Sequence, residues 1–316
     1  MKKVKIIEIK SEIGAGTRGS SLGVDAIKIA ALDYRSQFFK QYPRVEIANE
    51  NHLLLEPDEN PYAKRIKGVV AMYDRISSEV KQTMLAGEFP IFLSGDHSSA
   101  GGIIAGLKMA FPEENIGVIW IDAHADLHTP YTTPSGNLHG MPLAVSLGED
   151  NLSQKINKPI PDTVENWEKL KNMGGIKPKI AGNDIVMIGL RDSEPQENYL
   201  IRKLKIKRFS VKQLKKVGVE KVTLEVMQQL RHCDKIFVSF DVDSLDSKIS
   251  KGTGTPVRDG MSEREVKSLI LNLLEEDKVC AFEIAEINPT LDKENLMAEI
   301  AFEILQMATN QLTAPI

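Results

Sequence analysis

The chain has 316 residues, 42% hydrophobic and 27% charged, with a formal net charge of -4 and a pI near 6.0. That suits a globular α/β protein with a sizeable core, and it excludes the basic excess expected of a partner for nucleic acid or an anionic membrane. Cys233 and Cys280 are the two cysteines and read as buried small hydrophobes in a reducing cytoplasm, and no apolar run is long enough to cross a bilayer.

The basic start "MKKVKIIEIK" has an apolar stretch cut short by Glu8 and Lys10, so it reads as a strand over 4–9 rather than a secretion signal. The glycine-rich "GAGTRGSSLG" (14–23) lacks both dinucleotide-loop and P-loop spacing and reads as a loop at the mouth of a site. Helical spacing follows at 24–34 and 64–86. Strands are predicted at 90–95, 115–122, 184–190, 235–241 and 279–288, several of them continuous apolar runs typical of a parallel sheet buried on both faces. Helices are predicted at 99–110, 195–204, 219–231, 262–276 and 294–311, with Ser262 as an N-cap ahead of Glu263 and Glu265. The segment 149–183 is a polar excursion with one short helix near 164–171. The alternation predicts one α/β domain over 1–316, a doubly wound sheet with helices on both faces.

Ionisable residues gather where such sheets bind ligands, beyond the carboxyl ends of the strands. These are Asp96 and His97; Asp122, His124 and Asp126; Arg191, Asp192 and Glu194; Asp241, Asp243 and Asp246; and Glu286. Asp122, His124 and Asp126 are spaced i, i+2, i+4, which in an extended chain puts them on one face, and Asp241 and Asp243 repeat the spacing. With His97 the set is four carboxylates and two imidazoles, a donor mixture suited to Mn²⁺ or a similar ion rather than to a thiolate zinc site. About four negative charges are balanced by two divalent ions, and shared ligands leave room for a bridging water ionised near neutral pH. His52 and His232 stand alone and read as surface or helix-end histidines, and Trp120 reads as core.

"SGDHS", "DAHAD", "SGNLHG", "SFDVDSLD", "GTGTPV" and "EINPTLD", in that order and spacing, resemble the ureohydrolase superfamily and within it the arginase family, over about residues 4–312. The resemblance implies a three-layer α/β/α fold with a mainly parallel eight-stranded sheet, two Mn²⁺ per subunit, hydrolysis of L-arginine to L-ornithine and urea, and a homotrimer or homohexamer. It implies that His97, Asp122, Asp126 and Asp241 hold one ion, that Asp122, His124, Asp241 and Asp243 hold the other, and that Asp122 and Asp241 bridge. His139 falls at the family's proton shuttle and Glu286 at the carboxylate facing the guanidinium, with Thr255 in the adjoining loop. Thr133, Ser135 and Asn137 match the loop receiving the α-carboxylate, and Glu194 and Glu197 the acidic groups for the α-amino group. Departures from the family pattern are His128 in place of a carboxylate-contacting asparagine, Glu194 in place of aspartate, Ser244 in place of glycine, and Arg258 and Asp259 after "GTGTPV".

Three other readings compete. One is a ureohydrolase of different specificity, namely an agmatinase, guanidinobutyrase or formimidoylglutamase. The metal motifs do not separate these, and the "TTPSGN" loop favours an amino-acid substrate. A single-zinc deacetylase would not need His97 and Asp126 as further ligands. A non-catalytic metal-binding regulator would have no use for His139 and Glu286.

Overall fold

In a computed structural model, residues 1–314 are described. Eight strands form one sheet: β1 (Val4–Ile9), β2 (Arg44–Glu46), β3 (Phe89–Ser94), β4 (Ile116–Ile121), β5 (Ile185–Ile188), β6 (Lys207–Phe209), β7 (Lys235–Asp241) and β8 (Val279–Ala285). Their order is β2-β1-β3-β8-β7-β4-β5-β6. Every pairing is parallel, so the sheet is wholly rather than mainly parallel.

Burial explains the order. β3, β4, β7 and β8 carry the longest apolar runs and fill the centre, where helices cover both faces. The strands that periodicity misses, β2 ("RVE") and β6 ("KRF"), are short, partly exposed and charged, as edge strands usually are. Helices Gly23–Asp33, Val219–Gln229, Glu263–Leu274 and Leu296–Thr313 pack on one face. Helices Ile66–Leu85, Ser99–Ala110, Pro142–Leu147, Pro161–Lys171 and Pro195–Lys203 pack on the other.

Local chemistry sets the helix ends. Ser262 Oγ accepts from the Glu265 amide at 3.3 Å while Glu265 Oε2 accepts from the Ser262 amide at 2.7 Å, a capping box that starts Glu263–Leu274. The first helix after β3, Ser99–Ala110, lies tight against Ile66–Leu85, and a Cβ on Gly101 would stand 2.0 Å from the Tyr73 hydroxyl. The excursion 149–183 contains one α-helix, Pro161–Lys171, longer than its apolar pattern suggests, flanked by short 3-10 turns. The last predicted strand stops at Ala285, three residues early, because Glu286 turns into the left-handed region at φ 67. Among the described residues, no helix is long and apolar enough to cross a membrane.

Candidate active site

The carboxyl ends of the four central strands converge on one cleft of about 120 Å³. His97 follows β3, Glu286 follows β8, Asp241 ends β7 with Asp243 just beyond, and Asp122, His124 and Asp126 follow β4. The i, i+2, i+4 residues do converge, but not on the face of an extended strand. Asp122 Oδ1 accepts from the His124 amide at 2.6 Å, and Asp241 Oδ1 accepts from the Asp243 amide at 2.7 Å. Both motifs are tight side-chain-closed turns, and Asp126 is itself left-handed at φ 50. Asp243 Oδ1 accepts from the Ala123 amide at 3.1 Å, locking one turn to the other.

His97 Nδ1 lies 3.1 Å from Asp122 Oδ2 and 3.3 Å from both Asp126 Oδ2 and Asp241 Oδ2. Among the described residues neither His97 Nδ1 nor Asp122 Oδ2 has a hydrogen-bond partner, although both are buried. These atoms therefore point at a common centre rather than at one another. The other ring nitrogen explains why. Ser239 Oγ donates to Glu283 Oε2 at 2.7 Å, so it accepts from His97 Nε2–H, also at 2.7 Å. That leaves a lone pair on Nδ1 facing three carboxylates, which is untenable without a cation. Ser94 Oγ donates to the second oxygen of Glu283 at 2.6 Å, and the His97 ring stacks on Trp120 at 4.0 Å. A second group lies beside the first: His124 Nδ1 is 2.8 Å from Asp243 Oδ2 and 3.6 Å from Asp122 Oδ1. Two sets of donors sharing Asp122 fit a pair of divalent cations.

The electrostatics agree. Burial and the neighbouring Asp243 and Asp122 hold Asp241 well above the usual carboxylate range. Burial and Asp122 lift Asp126 to about 6. Burial disfavours a charged His97, yet Asp122, Asp126 and Asp241 together hold it well above the ordinary imidazole value. The pocket demands positive charge at its centre, whether from protons or from metal.

His139 Nδ1 donates to Glu286 Oε1 at 2.9 Å, and the same oxygen accepts from the His97 amide at 2.9 Å. Burial opposes the charge on His139, but Glu286 overrides it and lifts the ring to about 9, above the neutral range expected of a free imidazole. The loop over the cleft is built by Gly136. Its φ is 76, and a Cβ there would stand 1.9 Å from the Pro61 carbonyl oxygen. Thr133 Oγ1 accepts from the Gly136 amide at 2.9 Å, and Ser135 Oγ accepts from the Asn137 amide at 3.2 Å, leaving both hydroxyl hydrogens free to donate. The glycine-rich loop does border this region: the Gly14 amide donates to Asp96 Oδ2 at 2.9 Å, and the Gly14 carbonyl accepts from the His139 amide at 3.1 Å.

On the opposite wall His128 Nε2 meets Glu194 Oε2 at 3.0 Å and Glu197 Oε2 at 3.6 Å. His128 pulls Glu194 below the usual carboxylate range, whereas burial raises Glu197. Glu197 accepts from the amides of Leu127 and Glu194 at 3.1 and 3.0 Å, so it also braces the start of Pro195–Lys203. Thr255 Oγ1 donates to Asp243 Oδ2 at 3.2 Å. Every candidate residue lines the cleft except Asp122 and Glu286, which are buried and hydrogen-bonded to the lining residues His124, and His139 and His97, respectively.

Residue-type reasoning had no place for Ser239 and Glu283. They are register partners on β7 and β8, and their only signal is polarity inside apolar runs. It also left Arg191 without a task. Its guanidinium donates to the carbonyls of Gly189, Asp243, Ser244, Leu245, Val257 and Arg258 at 2.7–3.3 Å, clamping the Asp243 turn.

A parallel sheet carrying this donor set at its carboxyl edge is the arrangement of a metal-dependent ureohydrolase. Arginase of Brevibacillus brevis is 34% identical over 96% of each chain, and arginase-1 of Rattus norvegicus is 37% identical over 75% of this chain and 70% of its own. The structure of arginase from Bacillus caldovelox superposes with a TM-score of 0.83 at 31% identity, covering both chains fully. The arginase family profile matches residues 2–309, and the chain belongs to that family.

Proposed function

We propose that the chain is an arginase, hydrolysing L-arginine to L-ornithine and urea with two Mn²⁺ per subunit. The carrying observation is one cleft with a cation-demanding cluster at its floor, hydroxyl donors on one wall and carboxylates on the other. His97, Asp122, Asp126 and Asp241 would hold one ion, and Asp122, His124, Asp241 and Asp243 the other. When bound, the ions would supply the Lewis acidity that lowers the pKa of a water and balances the carboxylates.

The chain's own residues account for the remaining steps. Glu286 accepts hydrogen bonds from the planar guanidinium and holds its carbon for attack, which replaces chance collision by orientation. Asp126 takes the proton released by the attacking water and delivers it to the departing δ-nitrogen of ornithine. His139 relays protons between the cleft and bulk water. Thr133, Ser135 and Asn137 donate to the α-carboxylate, while Glu194 and Glu197, with His128 paired to them on the opposite wall, face the α-ammonium and Thr255 steadies Asp243. A cytoplasmic homotrimer or homohexamer belongs to the same reading, and light scattering reads the assembly.

The test is urea release from a panel of guanidino and formimino compounds after Mn²⁺ loading. Hydrogen bonds to charged groups contribute about 1.5–3 kcal/mol each. Agmatine lacks the α-carboxylate, so it should fall roughly 10²-fold or more below L-arginine in kcat/KM, allowing for a wet loop. Equal values would reassign the enzyme to another ureohydrolase specificity.

A further inference from the structure

A second cluster of ligating side chains lies at the opposite edge of the sheet. Asp184 stands just before β5 and Cys233 just before β7, and His232 follows the helix Val219–Gln229. These are amino ends of strands whose carboxyl ends face the cleft. Seven residues of β7 put roughly 20 Å between the two places.

His232 Nε2 lies 2.8 Å from Asp184 Oδ1 and 3.6 Å from Cys233 Sγ, and Sγ lies 4.0 Å from the same Oδ1. Asp184 Oδ2 is already taken by the Ala181 amide at 2.8 Å. A catalytic thiol–imidazole–carboxylate relay needs its thiol and carboxylate on different ring nitrogens. Here both meet Nε2, so the ring cannot pass a proton between them. Three donors converging on one point are a ligand arrangement instead. In a tetrahedral site with bonds of about 2.0–2.3 Å, adjacent donors stand roughly 3.3–3.6 Å apart. Each observed separation is within about 0.5 Å of that range, a shift that side-chain rotation supplies.

The surroundings fit as well. Cys233 is fully buried and Asp184 nearly so, while the His232 side chain is 36% exposed. The cluster is thus closed on the protein side and open to water, which offers an entry path and a fourth ligand. Sulfur, nitrogen and oxygen donors together suit Zn²⁺ and its relatives rather than Mn²⁺.

We propose that Asp184, His232 and Cys233 form a peripheral site for a zinc-type divalent ion, separate from the catalytic cleft. The bound ion ties the turn before β5 to the segment before β7, two strands that β4 separates in the sheet. Burial pushes the Cys233 thiol up to about 12, with Asp184 and Asp234 opposing ionisation and Lys278 favouring it, so the ion must displace the thiol proton.

The experiment uses the full-length, Mn²⁺-loaded protein titrated with Co²⁺ as a zinc surrogate. A near-ultraviolet thiolate-to-cobalt charge-transfer band reports this site alone, because the cleft offers only nitrogen and oxygen donors. One equivalent of the band per chain is expected, displaced by Zn²⁺, absent in Cys233→Ser and retained in Cys280→Ser. His232 lies at the surface, so His232→Ala keeps the fold readable even if Cys233→Ser does not. Its Co²⁺ dissociation constant should rise about tenfold or more, since losing even an outer partner of a ligand costs about 10–100-fold. Zn²⁺ should raise the melting temperature of the parent protein but not of His232→Ala. A parent protein without the band overturns the proposal. So does a band of equal strength in Cys233→Ser, an unchanged Co²⁺ dissociation constant in His232→Ala, or loss of the band in Cys280→Ser.

Discussion

Replacing Arg191 by methionine keeps the length of the side chain and removes every donor. Six carbonyl oxygens then lose a charged partner, and three of them belong to the buried stretch Asp243–Leu245. A buried acceptor left unpaired costs about 1–3 kcal/mol. Water entering the vacated volume recovers part of this, so a net loss of about 3–5 kcal/mol is expected. A chain of 316 residues has an unfolding entropy of roughly 0.66 kcal/mol/K, which converts the loss to about 5–8 °C in Tm. The second consequence is local. The clamp aims the Asp243 turn, so one of the two proposed Mn²⁺ ions should bind about 10–100-fold more weakly. Differential scanning calorimetry with and without Mn²⁺ reads the first effect, and metal titration reads the second. Arg191→Lys, with three donors on a flexible stem, should recover only part of either. An Arg191→Met protein with unchanged Tm and unchanged affinity for both ions would refute the clamp.

Asp122→Asn or Asp241→Asn should deplete both ions together, by elemental analysis of the purified chain, because each carboxylate is shared in the proposed centre. Loss of a single ion would separate the two sites. His139→Ala should retain both ions, since the ring bonds Glu286 rather than the cluster, while kcat falls about 10²-fold. Added imidazole should restore part of the rate, and an unaltered kcat would remove His139 from the proton path.

Much of this protein is legible along the chain. Continuous apolar runs located the six longer strands to within a few residues, and Ser262 with Glu265 marked a helix start that the hydrogen bonds reproduce. The donor types of His97, Asp122, His124, Asp126, Asp241 and Asp243 pointed to a hard divalent metal, because their chemistry does not depend on their neighbours. The reason offered for their convergence was incomplete. An extended strand would align 122, 124 and 126, whereas side-chain-closed turns and a left-handed Asp126 do so here. Charged three-residue edges such as β2 and β6 carry no periodic signal, since only partners across the sheet make them strands.

Adjacency is what the linear order withholds. β7 and β8 come last among the strands, yet they lie between β3 and β4, and this alone sets His97 beside Asp241 and Glu286. The physical reason is burial: long apolar strands gain most where helices cover both faces, so they take the centre whatever their place in the chain. Tertiary packing likewise decided that Ser239 and Glu283 meet across the sheet to hold the His97 ring, and that Asp184, His232 and Cys233 come together at the far edge. A histidine and a cysteine read singly as a helix end and a core filler become a candidate ligand set only when the fold supplies the carboxylate.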